Sequence, residues 1–185
     1  VAKAARSAGL KVAMSGIGGD ELLGGYSSFS NVPNWHTRFR LISSLPALAP
    51  ILERGLRAAR PRLSRKRPKM TGLLRHADTL GGTYFVARAL RMPESLPGHL
   101  DPEFAAEGLR RLDLKRRMNA PLDPKPDSAQ ASVTLLELAF YARNQLLRDA
   151  DWAGMAHGVE IRTPLLDFAL FKALGPLIGH LRANE

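Results

Sequence analysis

The sequence predicts a helix-rich α/β fold, in which the end of a parallel sheet carries a helical subdomain. Two observations lead to this prediction. The short apolar run LKVAMS at residues 10–15 is closed by glycines and followed by a helix signal, which is the strand–loop–helix order of α/β proteins. The rest of the chain consists mostly of helical patterns, the longest of them at residues 129–156.

Local signals justify the first elements. Residues 1–9 have a helical pattern in which Gly9 suits the C-terminal cap. LKVAMS is short and apolar, so we expect a buried strand. In DELLGG, Asp20 and Glu21 stand in the first turn of a second helix, where the helix dipole favours acidic side chains.

Prolines and a polar connector divide the remaining chain. The long run AQASVTLLELAFYARNQLLRDADWAGMA has apolar residues around much of its circumference, so we expect it to be buried. The predicted elements are helices at 35–60, 72–92 and 103–118, a Pro- and Asp-rich connector at 119–128, the long helix at 129–156, an extended passage at 158–167 and a final helix over FALFKALGPLI.

Composition excludes several classes of protein. The chain has 185 residues, enough for one substantial domain, and no cysteine, so disulfides and thiolate metal sites are excluded. No apolar run approaches the roughly 18 residues that suggest a membrane span. The N-terminus lacks the apolar core of a signal peptide, so we expect no membrane partner and a cytoplasmic location.

The net charge of +10 raises the question of nucleic-acid binding. The basic residues are concentrated at 54–70 and, to a lesser degree, at 109–118. Neither stretch carries the interleaved aromatic residues that would stack on bases. We therefore expect a solvated, arginine-rich surface and no nucleic-acid partner, although nonspecific polyanion binding at low salt stays open.

The loop after the predicted strand has residues suited to a nucleotide and a metal. Ser15 offers a hydroxyl, Asp20 is a hard oxygen ligand for Mg²⁺, and Glu21 either caps the helix or holds a cationic substrate group. Gly24 and Gly25 are expected to serve packing or to stop the helix. Three glycines permit positive φ and leave no Cβ to block a ligand: Gly16, Gly18 and Gly19. Spacing alone supports a structural turn equally well.

A second stretch of the sequence favours a nucleotide site over a structural turn. SGIGGDELLGGY together with LLRDADWAGMAHGVEIRTPLLD resembles the synthetase domain of the asparagine synthetase family, whose pattern is approximately SGxGxDExxGGY and then LLxxxDxxxMAxxxExRxPxLD. The resemblance covers residues 1 to about 175. It implies a partial adenine-nucleotide alpha hydrolase-like domain. It also implies a glutamine-hydrolysing ligase that uses ATP and Mg²⁺ to adenylate a carboxylate, aspartate or a related acceptor, and then transfers ammonia to give an amide, AMP and pyrophosphate.

The resemblance also assigns roles by position in the motif. Asp20 matches the aspartate on the metal and pyrophosphate side, and Glu21 matches an acid on the substrate side, our candidate catalytic residue. Four positions are the candidates for nucleotide binding, with the first two matching residues that touch AMP: Ser15, Gly16, Gly18 and Gly19.

Ile17 departs from the family pattern. Asparagine-forming members often have an acid here, and a related β-lactam-forming branch has a tyrosine, whereas isoleucine neither transfers protons nor forms hydrogen bonds. The acceptor substrate is therefore open. The alternatives are a tailoring synthetase that forms another amide or a lactam, a non-catalytic homologue with a scaffold role, and a basic nucleic-acid-binding helical domain.

The second motif is expected to be architectural. We expect Arg162 to pair with Asp151 or Asp167, although a guanidinium also suits phosphate. Glu137 and Tyr141 lie four residues apart on one helix face and are expected to form a structural pair. Two residues are expected to anchor cores: Trp35 and Trp152.

The resemblance places other family features outside residues 1–185. These are an upstream SGGxDS phosphate loop, a later GK segment and a glutaminase domain with an N-terminal cysteine. The chain begins with Val in a helical pattern, so we expect it to be one part of a longer synthetase and to be inactive by itself. A homodimer of the full-length protein is compatible with the resemblance.

Overall fold

The structure is a computed structural model that describes residues 1–45, 47–59 and 68–178. These residues divide into two units. Unit 1 comprises Val1–Phe29 and the chain from Lys125 onward, and unit 2 comprises Ser30–Pro124. Both sequence motifs belong to unit 1. The basic stretch at 54–70 falls within the range of unit 2, and its residues 60–67 lie outside the described residues.

Unit 1 contains a parallel sheet. Its strands are β1 (Val12–Met14) and β2 (Glu160–Arg162), and Ala13 is the partner of Ile161. The backbone N–H of Ser15 extends the pairing by donating to the carbonyl of Arg162 at 2.8 Å. The strand predicted within residues 10–15 and the helix-rich α/β class are confirmed. The extended passage predicted at 158–167 is confirmed at Glu160–Arg162, whereas Pro164–Leu166 form a 3₁₀ turn.

The expected burial of β1 is wrong. Val12 is 39% exposed and Met14 is 76% exposed. Parallel strands are buried on both faces where helices cover both faces of a sheet. Within the described residues β1 has a single neighbouring strand, so its apolar side chains stay accessible.

The first helix of unit 1, Ala2–Ser7, has Ala8 as its C-terminal cap, one residue before the predicted Gly9. Gly9 has φ +81°. The backbone N–H groups of Gly9 and Leu10 donate to the carbonyls of Arg6 at 2.9 Å and Ala5 at 3.0 Å. This pair of bonds is the Schellman arrangement that ends many helices, and it turns the chain into β1.

The predicted long helix is one continuous helical run with a wider segment in its middle. An α-helix over Ala129–Leu136 is followed by a π-helix over Glu137–Leu146 and by an α-helix over Leu147–Met155. The hydroxyl of Ser128 accepts from the N–H of Ala131 at 3.0 Å and caps the start. Long π-helical segments are rare and often lie at functional sites.

The long helix is buried along part of its length only. Val133, Leu136 and Ala142 are buried, whereas Trp152 is 63% exposed and Met155 is 64% exposed. The guanidinium of Arg148 lies 4.9 Å from the Trp152 ring centroid. The expectation that Trp152 anchors a core is therefore wrong, because its helix turns that side chain to solvent.

The rest of unit 1 is short. A 3₁₀ turn over Pro164–Leu166 follows β2, and the final helix, Phe168–Ile178, lies where the sequence predicts it.

Unit 2 is made of short helices around its own core. Trp35 and Phe39 pack against this core, so the prediction for Trp35 is confirmed. Asp113, with φ 44°, divides the helix predicted at 103–118 in two. The buried core consists of Leu73, Ala77, Val86 and Met92. The α-helix that leads into unit 2 begins at Ser28, at the end of the first segment of unit 1. The described α-helices are Ser28–Ser43, Ala49–Ala59, Leu73–His76, Leu80–Arg88, Pro102–Leu112 and Leu114–Asn119, and the described 3₁₀ helices are Pro68–Gly72, Pro93–Gly98 and Ala120–Leu122.

None of the helices that the structure describes is long and apolar enough to cross a membrane.

Candidate functional site

The glycine loop, residues 15–19, lies at the carboxyl end of β1 and packs on the second motif. Gly18 is buried and has φ +102°. A Cβ at this position would lie 2.8 Å from Cγ of Leu166 and 2.9 Å from the carbonyl oxygen of Leu165. Position 18 therefore requires glycine for two reasons: the backbone conformation is left-handed, and there is no space for a Cβ. The two motifs, far apart in the sequence, meet at this contact.

The other side of the loop is open. Gly16 is exposed, and no atom lies within 4 Å of a Cβ built on it. The N–H of Gly19 donates to the carbonyl of Gly16 at 3.1 Å. The N–H of Ile17 donates to the hydroxyl of Ser15 at 3.3 Å. These bonds close the loop on itself and leave the backbone of Gly16 accessible to a ligand.

Asp20 lies at the start of the helix Gly19–Leu23 and is exposed. This helix stops at Gly24, which has φ +77°. The N–H groups of Gly24 and Gly25 both donate to the carbonyl of Asp20, at 2.9 and 3.1 Å. The predicted helix stop is confirmed, and the Asp20 carboxylate lies against Gly25.

Glu21, the neighbour of Asp20, has the opposite environment. Its side chain is completely buried. The hydroxyl of Tyr26 donates to Glu21 Oε1 at 3.2 Å, and Oε2 has no hydrogen-bond partner among the described residues. The hydroxyl of Thr134 donates to the Glu21 carbonyl at 3.0 Å and ties this short helix to the long helix.

The environment of Tyr26 favours its protonated, hydrogen-bond-donating form. Burial first, and then the negative charges of Glu21 and Asp20, raise the pKa of the Tyr26 phenol, which therefore keeps its proton. The Tyr26 ring packs edge-on against Tyr141, with centroids 5.6 Å apart and planes at 87°. Such pairs add to the stability gained by burial.

The π-helical segment meets the chain at 26–28 in two places. Besides the contact between Tyr141 and Tyr26, the hydroxyl of Ser28 donates to Oε1 of Glu137, which is completely buried. Glu137 and Tyr141 thus each contact the segment at 26–28, while a direct pair between the two stays a prediction. The turn that follows the two acids is fixed from the long helix.

Arg162 has a different partner from the one expected. Its Nε donates to Glu160 Oε1 at 2.9 Å, and the side chains are 63% and 59% exposed. Residues two apart on a strand point to the same face, so Glu160 is nearer than Asp151 or Asp167. The hydrogen bond and charge of Glu160 raise the pKa of Arg162. The expected pairing with Asp151 or Asp167 is wrong.

Arg162→Ala should therefore leave the melting temperature of the full-length protein nearly unchanged. Exposed ion pairs contribute little to stability, since water and salt screen them. Thermal unfolding is the measurement, with Glu160→Ala as the matched control. A clear fall in melting temperature would contradict this expectation. An unchanged melting temperature with a raised Michaelis constant for ATP would make Arg162 a ligand-binding residue.

Two residues near the acids were missed in the sequence. The sequence pattern predicts only packing or a helix stop for Gly25 and no role for Tyr26. The signal was present in the letters GGY, which follow the acids directly. What these residues contact depends on tertiary structure.

Within the described residues, no group of three or more His, Cys, Asp or Glu side chains is arranged to hold a metal by itself. Mg²⁺ at nucleotide sites is typically held by one or two carboxylates together with phosphate oxygens. Asp20 fits that requirement, because its carboxylate is exposed and lies in a space that a Cβ at residue 25 would fill.

The chain was also compared with known proteins. Neither the curated proteins nor the solved structures gave a significant match. The family model described as Asparagine synthase matches residues 1–183. This match spans both motifs, which the fold brings together at the glycine loop, and the chain therefore belongs to the asparagine synthase family.

Proposed function

We propose that this chain is part of an ATP-dependent amidotransferase that adenylates a carboxylate, aspartate or a related acceptor, and transfers ammonia from glutamine to it. Membership of the family gives the chain a role in ATP-dependent synthetase chemistry. The observation that supports adenylation of a carboxylate by this chain is the glycine loop, which is open at Gly16 and is followed by the exposed Asp20. Ligands of parallel α/β sheets bind at the carboxyl ends of strands.

The loop residues divide into two tasks in this proposal. Ser15 and Gly16 face the nucleotide, since the backbone of Gly16 is accessible. Gly18 and Gly19 contribute to nucleotide binding by fixing the shape of the loop, Gly18 through its contact with Leu166 and Gly19 through its bond to the Gly16 carbonyl.

The proposed reaction has two steps. First, an oxygen of the acceptor carboxylate bonds to the α-phosphorus of ATP, the bond from that phosphorus to the bridging oxygen breaks, and pyrophosphate leaves. Ammonia then attacks the acyl carbon, AMP leaves with the electrons of the acyl–oxygen bond, and the nitrogen loses a proton.

Two acids of this chain serve those steps. Asp20 would hold Mg²⁺ together with phosphate oxygens, and the ion would neutralise charge as two anions approach each other. Glu21 is our candidate catalytic residue. Its Oε2 is buried and has no hydrogen-bond partner among the described residues, so a substrate group that reached it would find an acceptor whose hydrogen-bonding capacity is unused.

Acceptor-dependent release of AMP and pyrophosphate tests the proposal. The full-length protein is incubated with ATP, Mg²⁺, ammonia and a panel of carboxylates, starting with aspartate. We expect AMP and pyrophosphate to form in equal amounts, and only when an acceptor is present. Formation of ADP and phosphate would contradict adenylation. The absence of any acceptor-dependent turnover across the panel would favour a scaffold role.

A tailoring synthetase with another acceptor is the second candidate, and Ile17 favours it. The side chain of Ile17 is half-buried, and its N–H is bonded to Ser15 in an intact loop. Asp20 and Glu21 are both present in the first turn of the helix that follows the loop. A decaying site should lose charged residues as well, so Ile17 points to a different substrate.

Ile17→Glu should fail to convert the full-length protein into an efficient asparagine former. General acid–base assistance is worth about 10²–10⁴-fold, so a merely damaged asparagine synthetase would recover by such a factor. Pyrophosphate release is measured with aspartate, ATP and ammonia, and Ile17→Gln is the control of matched size. Recovery with Glu alone, or efficient asparagine formation by the unmodified enzyme, would contradict the tailoring proposal.

A further inference from the structure

Gly25 is adjacent to Asp20 in space, although five residues separate them in the sequence. A Cβ built on Gly25 would overlap Asp20 Oδ1 and would lie 2.9 Å from Cγ and 3.3 Å from Cβ of Asp20. Separations below 3.0 Å are essentially never seen for real Cβ atoms. Any side chain at residue 25 would therefore force the Asp20 carboxylate to move.

The backbone of Gly25 does not itself require glycine. Its φ lies outside the positive range, and the residue is exposed. Gly24 differs in this respect, because it has φ +77° and is buried, and a Cβ there would meet the Gln130 side chain. Glycine is therefore required at the two positions for different physical reasons. Gly24 adopts the backbone conformation that bends the chain, and Gly25 leaves space for the Asp20 side chain.

The surrounding contacts fix the turn in place. The N–H groups of Gly24 and Gly25 hold the Asp20 carbonyl, and the Tyr26 hydroxyl holds Glu21 on the buried side. Tyr26 is in turn packed on Tyr141 of the π-helical segment. The backbone around Asp20 is therefore fixed, and the side-chain rotamer of Asp20 depends on the space over residue 25.

We propose that Gly25 is a positioning residue for Asp20: its missing side chain leaves the space in which the Asp20 carboxylate is held for metal binding. A methyl group at residue 25 turns the carboxylate to another rotamer at little cost in stability, because Asp20 is exposed and can swing into solvent. This inference rests on the proposed function, in which Asp20 is the ligand on the magnesium side.

The test uses Gly25→Ala and Gly24→Ala in the full-length protein, with two measurements on each. Mn²⁺ is the probe, and its binding in the presence of ATP is followed by the EPR signal of the free ion. We expect Gly25→Ala to weaken Mn²⁺ binding by about 10–100-fold, the usual effect of disturbing the support of a metal ligand, with little change in melting temperature. Gly24→Ala adds the same methyl group one residue earlier. It should lower the melting temperature, because residue 24 has φ +77°, and should leave Mn²⁺ binding nearly unchanged.

The remaining results distinguish the positioning role of Gly25 from the metal role of Asp20. Wild-type Mn²⁺ affinity in Gly25→Ala would overturn the inference. Wild-type affinity in Asp20→Asn would instead overturn the metal role of Asp20 in the proposed function. If Gly25→Ala lowers the melting temperature, Asp20→Ala/Gly25→Ala is compared with Asp20→Ala. Equal melting temperatures would support the steric contact, and a lower value in the double variant would show a backbone role for Gly25 alone and overturn the inference.

Discussion

Replacing Asp20 by asparagine is expected to remove most acceptor-dependent adenylation by the full-length protein. The exchange is nearly isosteric, and the side chain is exposed, so the fold should be kept while the negative charge is lost. Disturbing the partners of a metal ligand already costs about 10–100-fold, so loss of the ligand charge should cost about 100-fold or more. Pyrophosphate release driven by the acceptor is the measurement.

Asp151→Asn is the matched control for Asp20→Asn. It removes the same charge from another exposed position of unit 1 and should leave pyrophosphate release unchanged. The melting temperatures of both variants should equal that of the unmodified protein. An unchanged rate for Asp20→Asn at saturating Mg²⁺ would refute the metal role of Asp20, whatever the acceptor proves to be.

Local signals were sufficient for much of the fold. Gly9 directly follows the cap of the first helix, the apolar run before the glycines is a strand, and Gly24 stops the helix that the two acids begin. Each of these features depends on bonds or backbone angles within a few residues. A sequence read in short windows contains that information.

Burial was less predictable, because it depends on which elements become neighbours. Met14 lies in an apolar strand and Trp152 in a largely apolar helix, yet both are mostly exposed. Arg162 likewise pairs with Glu160 on its own strand and not with a distant carboxylate. Composition gives the tendency of a residue to be buried, whereas the packing of elements decides the outcome.

The candidate site shows the same limit most clearly at Asp20 and Glu21. Both are acids in one helical turn, so no pattern of hydrophobicity separates them. One is exposed and the other is completely buried. The buried acid, Glu21, accepts a hydrogen bond from Tyr26, which packs on Tyr141 of the long helix. Packing therefore places the two carboxylates in different environments, which a hydrophobicity pattern does not contain.

Gly18→Ala is expected to cause the largest loss of stability of any single methyl group added to the glycine loop. Alanine in a left-handed conformation costs about 1–2 kcal/mol. Overpacking a filled space costs about 1–3 kcal/mol more, and the new Cβ would lie within 3.0 Å of both Leu165 and Leu166. The sum is about 2–5 kcal/mol in the free energy of unfolding, measured by denaturant titration of the full-length protein.

Gly16→Ala is the matched control for Gly18→Ala, because it adds the same group two residues earlier, where no atom lies within 4 Å and φ is not positive. Its free energy of unfolding should stay close to that of the unmodified protein. Leu166→Ala removes the Leu166 Cγ, one of the three atoms within 3.0 Å of the new Cβ, so Gly18→Ala should cost less in that background. Equal losses for Gly16→Ala and Gly18→Ala would contradict the packing of the loop on Pro164–Leu166. The contact between the two motifs would then not be what gives position 18 its requirement for glycine.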